Sequence, residues 1–279
     1  MPVSLCFPDN GKSCFACCPP IRPAGYEHIQ YRNIIQRTLR ENSREFNKKD
    51  RSIAPITGFS CWGLGYIDKD YKLMGCLLHP SQNRGIDLRY RIDYGDKCRR
   101  ETCQEEKDFS SLGDIEQNFW LHLADGLDSF AYSNRKINPL FTMMGWGAYL
   151  LSLIATKETG ESFTGESFFR SYLFFTTELM PKGNAYLLNR IVEKKGVHIL
   201  TKKSFRAEFE EFSVLVSGRV NNESDNMEDA PFVHTLDIDP VFTDFLRLSA
   251  LITRSGIEDA VIMKQIVDEE LERFQKNIQ

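Results

Sequence analysis

No cysteine follows Cys103 in this chain of 279 residues, although the first 103 residues contain eight. The sequence also lacks an apolar run of the roughly 18–20 residues that a membrane-spanning helix needs. Its first residues lack the basic segment followed by an apolar stretch that marks a secretory signal. These absences favour a cytoplasmic protein, in which cysteines are usually reduced, catalytic or bound to metal.

An excess of positive charge is also lacking. The chain has 35 Lys and Arg against 39 Asp and Glu, a net charge of −4, which argues against a nucleic-acid partner. Residues 1–110 carry 18 basic and 14 acidic residues (+4), whereas the remainder carries 17 and 25 (−8). Charge and cysteine content thus change at a similar place, near the polar segment Gln104–Gly113. We therefore predict two domains, residues 1–105 and 114–279.

Apolar periodicity in the first of these domains predicts one helix and one hairpin. The helix begins at about Tyr26 and carries its apolar residues at helical spacing: Tyr31, Ile34, Ile35, Thr38, Leu39 and Phe46. Two short apolar runs, Trp62–Ile67 and Tyr71–Leu78, flank a turn at Asp68–Asp70. If the turn centres on Lys69, residue 62 faces residue 76, which brings Cys61 close to Cys76.

The second half of the chain has helical periodicity throughout. The segment Leu140–Ala155 is expected to be a single buried helix, and further helices are expected near residues 115–128, 166–180, 184–194, 203–216, 241–253 and 257–276. In the last of these, the apolar residues Ile257, Val261, Val267, Leu271 and Phe274 are expected to point inward. The predicted fold class is α+β, mainly α: a small Cys-rich metal-binding module of helix and hairpin, followed by a helical domain.

The cysteine spacing indicates metal ligation. Cys14-x2-Cys17 lets one turn present two thiolates to one metal ion, as in zinc knuckles and iron–sulfur loops. Cys98 and Cys103 form a looser half-site, and Cys61 joins the set through its expected proximity to Cys76. The candidate metal ligands are Cys14, Cys17, Cys18, Cys61, Cys76, Cys98 and Cys103. The alternative is that these residues are buried small hydrophobes or disulfides, which is the favoured interpretation for Cys6.

Other motifs are weaker. A lone imidazole at His28 or His79 is more typical of a surface or core histidine than of a ligand. Asp239-Pro240 is typical of a helix start, which we prefer to a small metal cluster of His234, Asp237 and Asp239. A nucleophilic role for Cys61 is disfavoured, because no base lies nearby in the sequence.

Several segments together resemble the bacterial and archaeal cysteine-cluster proteins described as zinc- or iron-chelating (YkgJ-like). They are CFACCPP at Cys14–Pro20, MGCLLHP at Met74–Pro80, NRGIDLR at Asn83–Arg89 and YGDKC at Tyr94–Cys98. The resemblance covers about residues 6–105. Where the family usually has Arg-Pro-x2-Cys-Arg, this chain has Cys98-Arg99 as the nearest match. The resemblance implies metal binding and no particular reaction.

The identity of the metal is open at this point, since thiolate-rich sites suit both zinc and an iron–sulfur cluster. The leading hypothesis is a metal-binding protein whose helical domain takes an unknown protein or small-molecule partner. One alternative is an iron–sulfur redox enzyme with its substrate at the domain interface. The other is a non-enzymatic adaptor in which the metal is structural.

Overall fold

The computed structural model of the protein describes residues 4–16, 28–57, 61–93, 103–158, 164–223 and 230–278. The chain divides into two compact units, Met1–Phe141 and Thr142–Gln279. The described secondary structure is helical except for one two-stranded antiparallel sheet, which confirms the predicted α+β, mainly α, class. The domain limits predicted from composition, 1–105 and 114–279, stay a prediction. Within the described ranges, no helix combines the length and apolarity needed to cross a bilayer.

The first unit begins with the cysteine-containing segment 4–16, which precedes the described helix and hairpin. Helix α1 (Arg32–Glu45) follows a short 3-10 helix at His28–Tyr31. The hairpin and the later helices are β1 (Leu64–Tyr66), β2 (Met74–Cys76), α2 (Gln104–Ser110), α3 (Asp114–Leu121), α4 (Ser129–Tyr132) and α5 (Pro139–Met144). The division between the two units falls within α5.

Helix α1 covers strand β1 through both apolar and polar side chains. Ile35 and Leu39 are buried in the apolar cluster of this unit. The Asn42 amide donates to the Leu64 carbonyl at 2.8 Å, and the Ser43 hydroxyl accepts from the Tyr66 N–H at 2.6 Å. The helix therefore supplies hydrogen-bond partners to strand backbone groups that a two-stranded sheet would leave open. The buried face is narrower than predicted, because Ile34 is 49% exposed.

The hairpin forms as predicted but in another register. The Asp68 carboxylate accepts from the N–H groups of Lys72 and Leu73, at 3.1 and 2.7 Å, and so fixes the turn. Leu64 pairs with Cys76, and the predicted pairing of residue 62 with residue 76 is wrong. Since β1 begins at Leu64, Cys61 precedes the strand instead of lying opposite Cys76.

The second unit contains the longer helices. They are α6 (Ala148–Glu158), α7 (Gly165–Ser171), α8 (Pro181–Lys195), α9 (Phe205–Glu223), α10 (Pro240–Leu248) and α11 (Ile257–Asn277). The single helix predicted over Leu140–Ala155 is wrong. Gly147 adopts a φ of +90°, a conformation outside the helical region that separates α5 from α6.

Aromatic pairs fix the packing of these helices. The rings of Tyr186 on α8 and Phe242 on α10 have centroids 5.0 Å apart, and Phe212 on α9 stacks on Phe274 of α11 at 4.0 Å. On α11, Val267 and Leu271 are buried as predicted. Two other residues predicted to point inward do not, since Ile257 and Val261 are 50% and 46% exposed; the buried positions of that part of the helix are Ala260 and Met263.

Two helical glycines of the second unit are expected to respond oppositely to replacement by alanine. At Gly183 a Cβ would lie 2.5 Å from the Ser249 hydroxyl and 3.1 Å from the Leu248 Cβ, because α8 passes close to the end of α10 there. At Gly218 on α9 a Cβ would meet no atom within 4 Å. Gly183→Ala should destabilise the protein by about 1–3 kcal/mol through overpacking. Gly218→Ala should stabilise it by about 0.5–1 kcal/mol through higher helix propensity.

The measurement is urea unfolding of each full-length variant, followed by far-ultraviolet circular dichroism. Each substitution serves as the control for the other, since both add one methyl group to a helix of the same unit. Two stabilising substitutions would show that α8 and α10 do not approach as closely as the structure has them.

Candidate metal centre

Residues 4–16 form a closed loop that places two cysteines side by side. The Cys14 N–H donates to the Cys6 carbonyl at 2.9 Å, which joins the two ends of the loop. Between them the Asp9 carboxylate accepts from the N–H groups of Gly11 and Lys12, at 2.6 and 2.9 Å. This arrangement is an Asx turn, and it explains how a segment without helix or strand keeps a defined path.

The loop is bound to helix α4 through two serine side chains. The Ser13 N–H donates to the Ser129 hydroxyl, and the Phe15 N–H donates to the Ser133 hydroxyl, each at 3.0 Å. Ser129 in turn donates to the Lys72 carbonyl at 2.7 Å, beside the hairpin. Both serines are buried. Each bond therefore gives a hydrogen-bond partner to a buried hydroxyl, which would otherwise cost free energy to remove from water.

A second attachment joins the loop to helix α2. The Leu5 N–H donates to the Glu106 carboxylate at 2.6 Å, and the Tyr132 hydroxyl donates to the Leu5 carbonyl at 3.0 Å. Burial raises the pKa of the Glu106 carboxyl, while hydrogen bonds from Leu5 and Ser110 oppose the rise. Cys103 is the residue immediately before α2, so this attachment ties Cys103's helix to the loop of Cys6 and Cys14.

A third attachment joins the loop to strand β2. The Met74 N–H donates to the Ser13 hydroxyl at 2.6 Å. Cys76 ends that strand; it is partly buried and packs against the apolar cluster that contains Phe15 and Cys61. Strand β2 and helix α2, each next to or containing a cysteine and far from the loop in the sequence, are therefore both hydrogen-bonded to the loop.

The predicted ligands fall into three groups. Cys14, Cys76 and Cys103 are partly buried and lie on the three connected segments. Cys61 is 5% exposed within the apolar cluster, and its sulfur accepts from the Gly63 N–H at 3.3 Å. The other predicted ligands, Cys17, Cys18 and Cys98, lie outside the described residues.

The residues that the structure describes hold no group of three or more His, Cys, Asp or Glu side chains placed to bind a metal ion. The cysteines on the connected segments therefore do not form a complete site by themselves. Cys17 and Cys18 directly follow the described loop, and Cys98 lies shortly before Cys103 in the sequence. The ligand set predicted from the sequence draws on both of these neighbouring segments.

Cys6 is a residue that the sequence analysis left out of the candidate ligands. Burial raises the pKa of the Tyr132 phenol far above its usual value, and the negative charges of Cys14, Cys6, Glu106 and Asp9 raise it further. Both sulfurs therefore lie within electrostatic range of the same buried phenol. The spacing of Cys6 from Cys14 gave no motif that could have signalled this proximity.

Two of the residues considered as alternatives, His79 and Asp239, have structural roles. His79 precedes the 3-10 helix Pro80–Gln82, and its Nδ1 accepts from the Ser81 N–H at 3.2 Å. Burial lowers the pKa of His79, which favours this neutral accepting form. Asp239 caps α10 by accepting from the Val241 N–H at 2.8 Å, which confirms that Asp239-Pro240 begins a helix.

Comparisons of the chain with protein-family models, with curated protein sequences and with solved structures find no match. The resemblance to the YkgJ-like cysteine-cluster family thus stays a prediction that depends on the motifs at Cys14–Pro20, Met74–Pro80 and Tyr94–Cys98.

The first prediction from this geometry concerns Ser13. Ser13→Ala removes the acceptor of the Met74 N–H at a fully buried position, so it should lower the free energy of unfolding by about 1–3 kcal/mol. Ser52→Ala, at an exposed position of the same unit, is the control and should change stability by less than about 0.5 kcal/mol. Urea unfolding of the full chain measures both. Equal effects would mean that the contact between Ser13 and Met74 does not hold the loop.

The second prediction concerns Asp128, which caps α4 through the N–H groups of Phe130 and Ala131 and pairs with Arg32. Burial tends to raise the pKa of Asp128, but the Ala131 N–H and Arg32 outweigh it and hold the pKa below its usual value. A carboxyl whose pKa is lowered by folding stabilises the protein above its unfolded pKa of about 3.9 and loses that contribution as pH falls further.

Asp128→Asn keeps a capping oxygen but removes the charge. The wild type should therefore be more stable than the variant at pH 7, by at most about 1 kcal/mol because both partners are partly exposed. The difference should shrink as pH falls below about 3.9 and disappear below the lowered pKa of Asp128. Urea unfolding at several pH values tests this, and comparing the variants at each pH cancels acid effects common to both. A difference that is constant with pH would contradict the role of the charge.

Proposed function

We propose that this protein binds a metal through cysteine thiolates of its first unit. The observation that carries the proposal is the attachment of residues 4–16 to both β2 and α2 by the Met74–Ser13 and Leu5–Glu106 hydrogen bonds. These bonds bring together segments whose sequence positions are up to 101 residues apart. Each of the three segments carries a cysteine, and cysteine thiolates from separate segments are typical zinc and iron–sulfur ligands.

Within this proposal the ligands come from Cys14, Cys17, Cys18, Cys76, Cys98 and Cys103. Cys61 is the least favoured member of the predicted set, because it is buried in the apolar cluster, whereas Cys14, Cys76 and Cys103 are only partly buried. Zinc or an iron–sulfur cluster supplies the chemistry of the site when bound. The surrounding residues position the sulfurs: Ser13 and Glu106 fix the loop, and Asp9 fixes its turn.

The proposal includes a reducing, cytoplasmic setting, since thiolates must stay reduced to bind metal. It includes no nucleic-acid partner, in keeping with the net charge of −4. In this proposal the second unit binds the protein or small-molecule partner, whose identity is unknown.

The experiment is metal analysis of the full-length protein purified without oxygen, together with its absorption spectrum. We expect about one or more metal ions per chain, and an absorption band at about 400 nm if the centre is an iron–sulfur cluster. A colourless protein with stoichiometric zinc identifies a zinc site. Cys14→Ser should lower the metal content, whereas the control Cys61→Ser should keep it.

Folding is monitored in the same samples by hydrogen exchange. Because metal ligation is coupled to local folding, a strong chelator should raise exchange in residues 4–16 and leave the cysteine-free second unit protected. Wild-type protein without bound metal, in which a chelator changes nothing, would refute the proposal. Protein in which a reductant opens the loop and a chelator does not would show that the cysteines form disulfides.

A further inference from the structure

A backbone hydrogen bond keeps Cys6 and Cys14 close together. The Cys14 N–H donates to the Cys6 carbonyl at 2.9 Å. Since a carbonyl oxygen lies about 2.4 Å from the α-carbon of its residue and an amide nitrogen about 1.5 Å from its own, the two α-carbons are at most about 6.8 Å apart. Disulfide-bonded cysteines have α-carbons roughly 4.4–6.8 Å apart, so the bond keeps the pair within that upper limit.

The side chains of the pair share one environment. Both cysteines are partly buried, and the charges of both act on the phenol of Tyr132. That phenol donates to the carbonyl of Leu5, the residue directly before Cys6. The two sulfurs therefore lie within electrostatic range of the same phenol.

The path between the two cysteines is also fixed without a disulfide. The Asp9 turn holds Gly11 and Lys12, and Ser13 is anchored to both Met74 and Ser129. A bond between the sulfurs would thus close a loop whose ends already meet, and the anchors of Ser13 could stay in place.

We propose that Cys6 and Cys14 form an intramolecular disulfide on oxidation, so that the loop is a redox-sensitive element. A further consequence rests on the proposed function: a disulfide at Cys14 removes this thiolate from the metal, so that oxidation and metal binding exclude each other at this residue.

The oxidant is a low-molecular-weight disulfide such as oxidised glutathione. The thiolate of one cysteine attacks the small disulfide, forms a mixed disulfide and releases one small thiolate. The second cysteine, after losing its proton, attacks the mixed disulfide and releases the other. Two cysteine thiols thus lose two protons and two electrons, and one small disulfide is reduced to two thiols.

The test uses full-length protein that has been stripped with a chelator and incubated with oxidised glutathione. Formation of the disulfide lowers the mass of the chain by about 2 Da, the mass of two hydrogens. Trypsin cleaves after Lys12, which lies between the two cysteines. The disulfide therefore links the peptide 1–12 to the peptide that begins at Ser13, and reduction separates them.

Cysteine-to-serine variants show which two cysteines form the disulfide. The peptide that begins at Ser13 also contains Cys17 and Cys18, so the double variant Cys17→Ser/Cys18→Ser leaves Cys14 as its one cysteine. This variant should still give the linked peptides, and Cys6→Ser should abolish them. If the double variant does not fold, fragmentation of the linked wild-type peptides locates the bond instead. A bond from Cys6 to another cysteine, or a stable glutathione adduct on Cys6 or Cys14, overturns the proposal.

A second arm separates this inference from the proposed function. In metal-loaded protein the yield of linked peptides should fall several-fold, and oxidation should release the metal in step with disulfide formation. Linked peptides in a protein that never binds metal would support the redox pair and refute the metal site. Metal binding in a protein that never yields linked peptides would support the metal site and refute the redox pair.

Discussion

The hydroxyl of Ser13 joins the N-terminal loop to the rest of the first unit. It accepts from the Met74 N–H of the sheet, while the N–H of the same residue donates to Ser129 at the start of α4. The loop contributes few apolar side chains to the core, so its path depends on such bonds more than on hydrophobic burial. Because Cys14 is the next residue, the path of its backbone depends on this anchor and on its own bond to the Cys6 carbonyl.

This dependence explains which parts of the fold the sequence could predict. Apolar periodicity predicted α1, the hairpin and the long helices α8, α9 and α11, because each buries one face against its neighbours. The contacts of Ser13 with Ser129 and Met74 could not be predicted. Each joins a backbone N–H to a serine hydroxyl, across 116 and 61 positions, and no local pattern distinguishes these serines from exposed ones.

The errors in the prediction have equally local causes. The hairpin register depends on how Asp68 caps the turn, and moving the centre by one residue changes which side chains face Cys76. Gly147 looked like part of a continuous apolar helix, since apolar periodicity does not report its positive φ. Of the candidate site, the sequence identified the cysteine-bearing segments but not the burial of Cys61 or the pairing of the loop at Cys6.

The two proposals together would give the N-terminal loop two competing chemistries. A bound metal would draw Cys14 toward ligands on other segments, whereas oxidation would draw it toward Cys6 on its own segment. Both states could use the anchors of Ser13 and Leu5, because neither anchor involves a sulfur atom. Metal supply and redox potential would then decide which bond Cys14 makes. If metal–thiolate bonds or a disulfide held the loop instead, the loop would lose its conformation whenever the metal left or the disulfide was reduced.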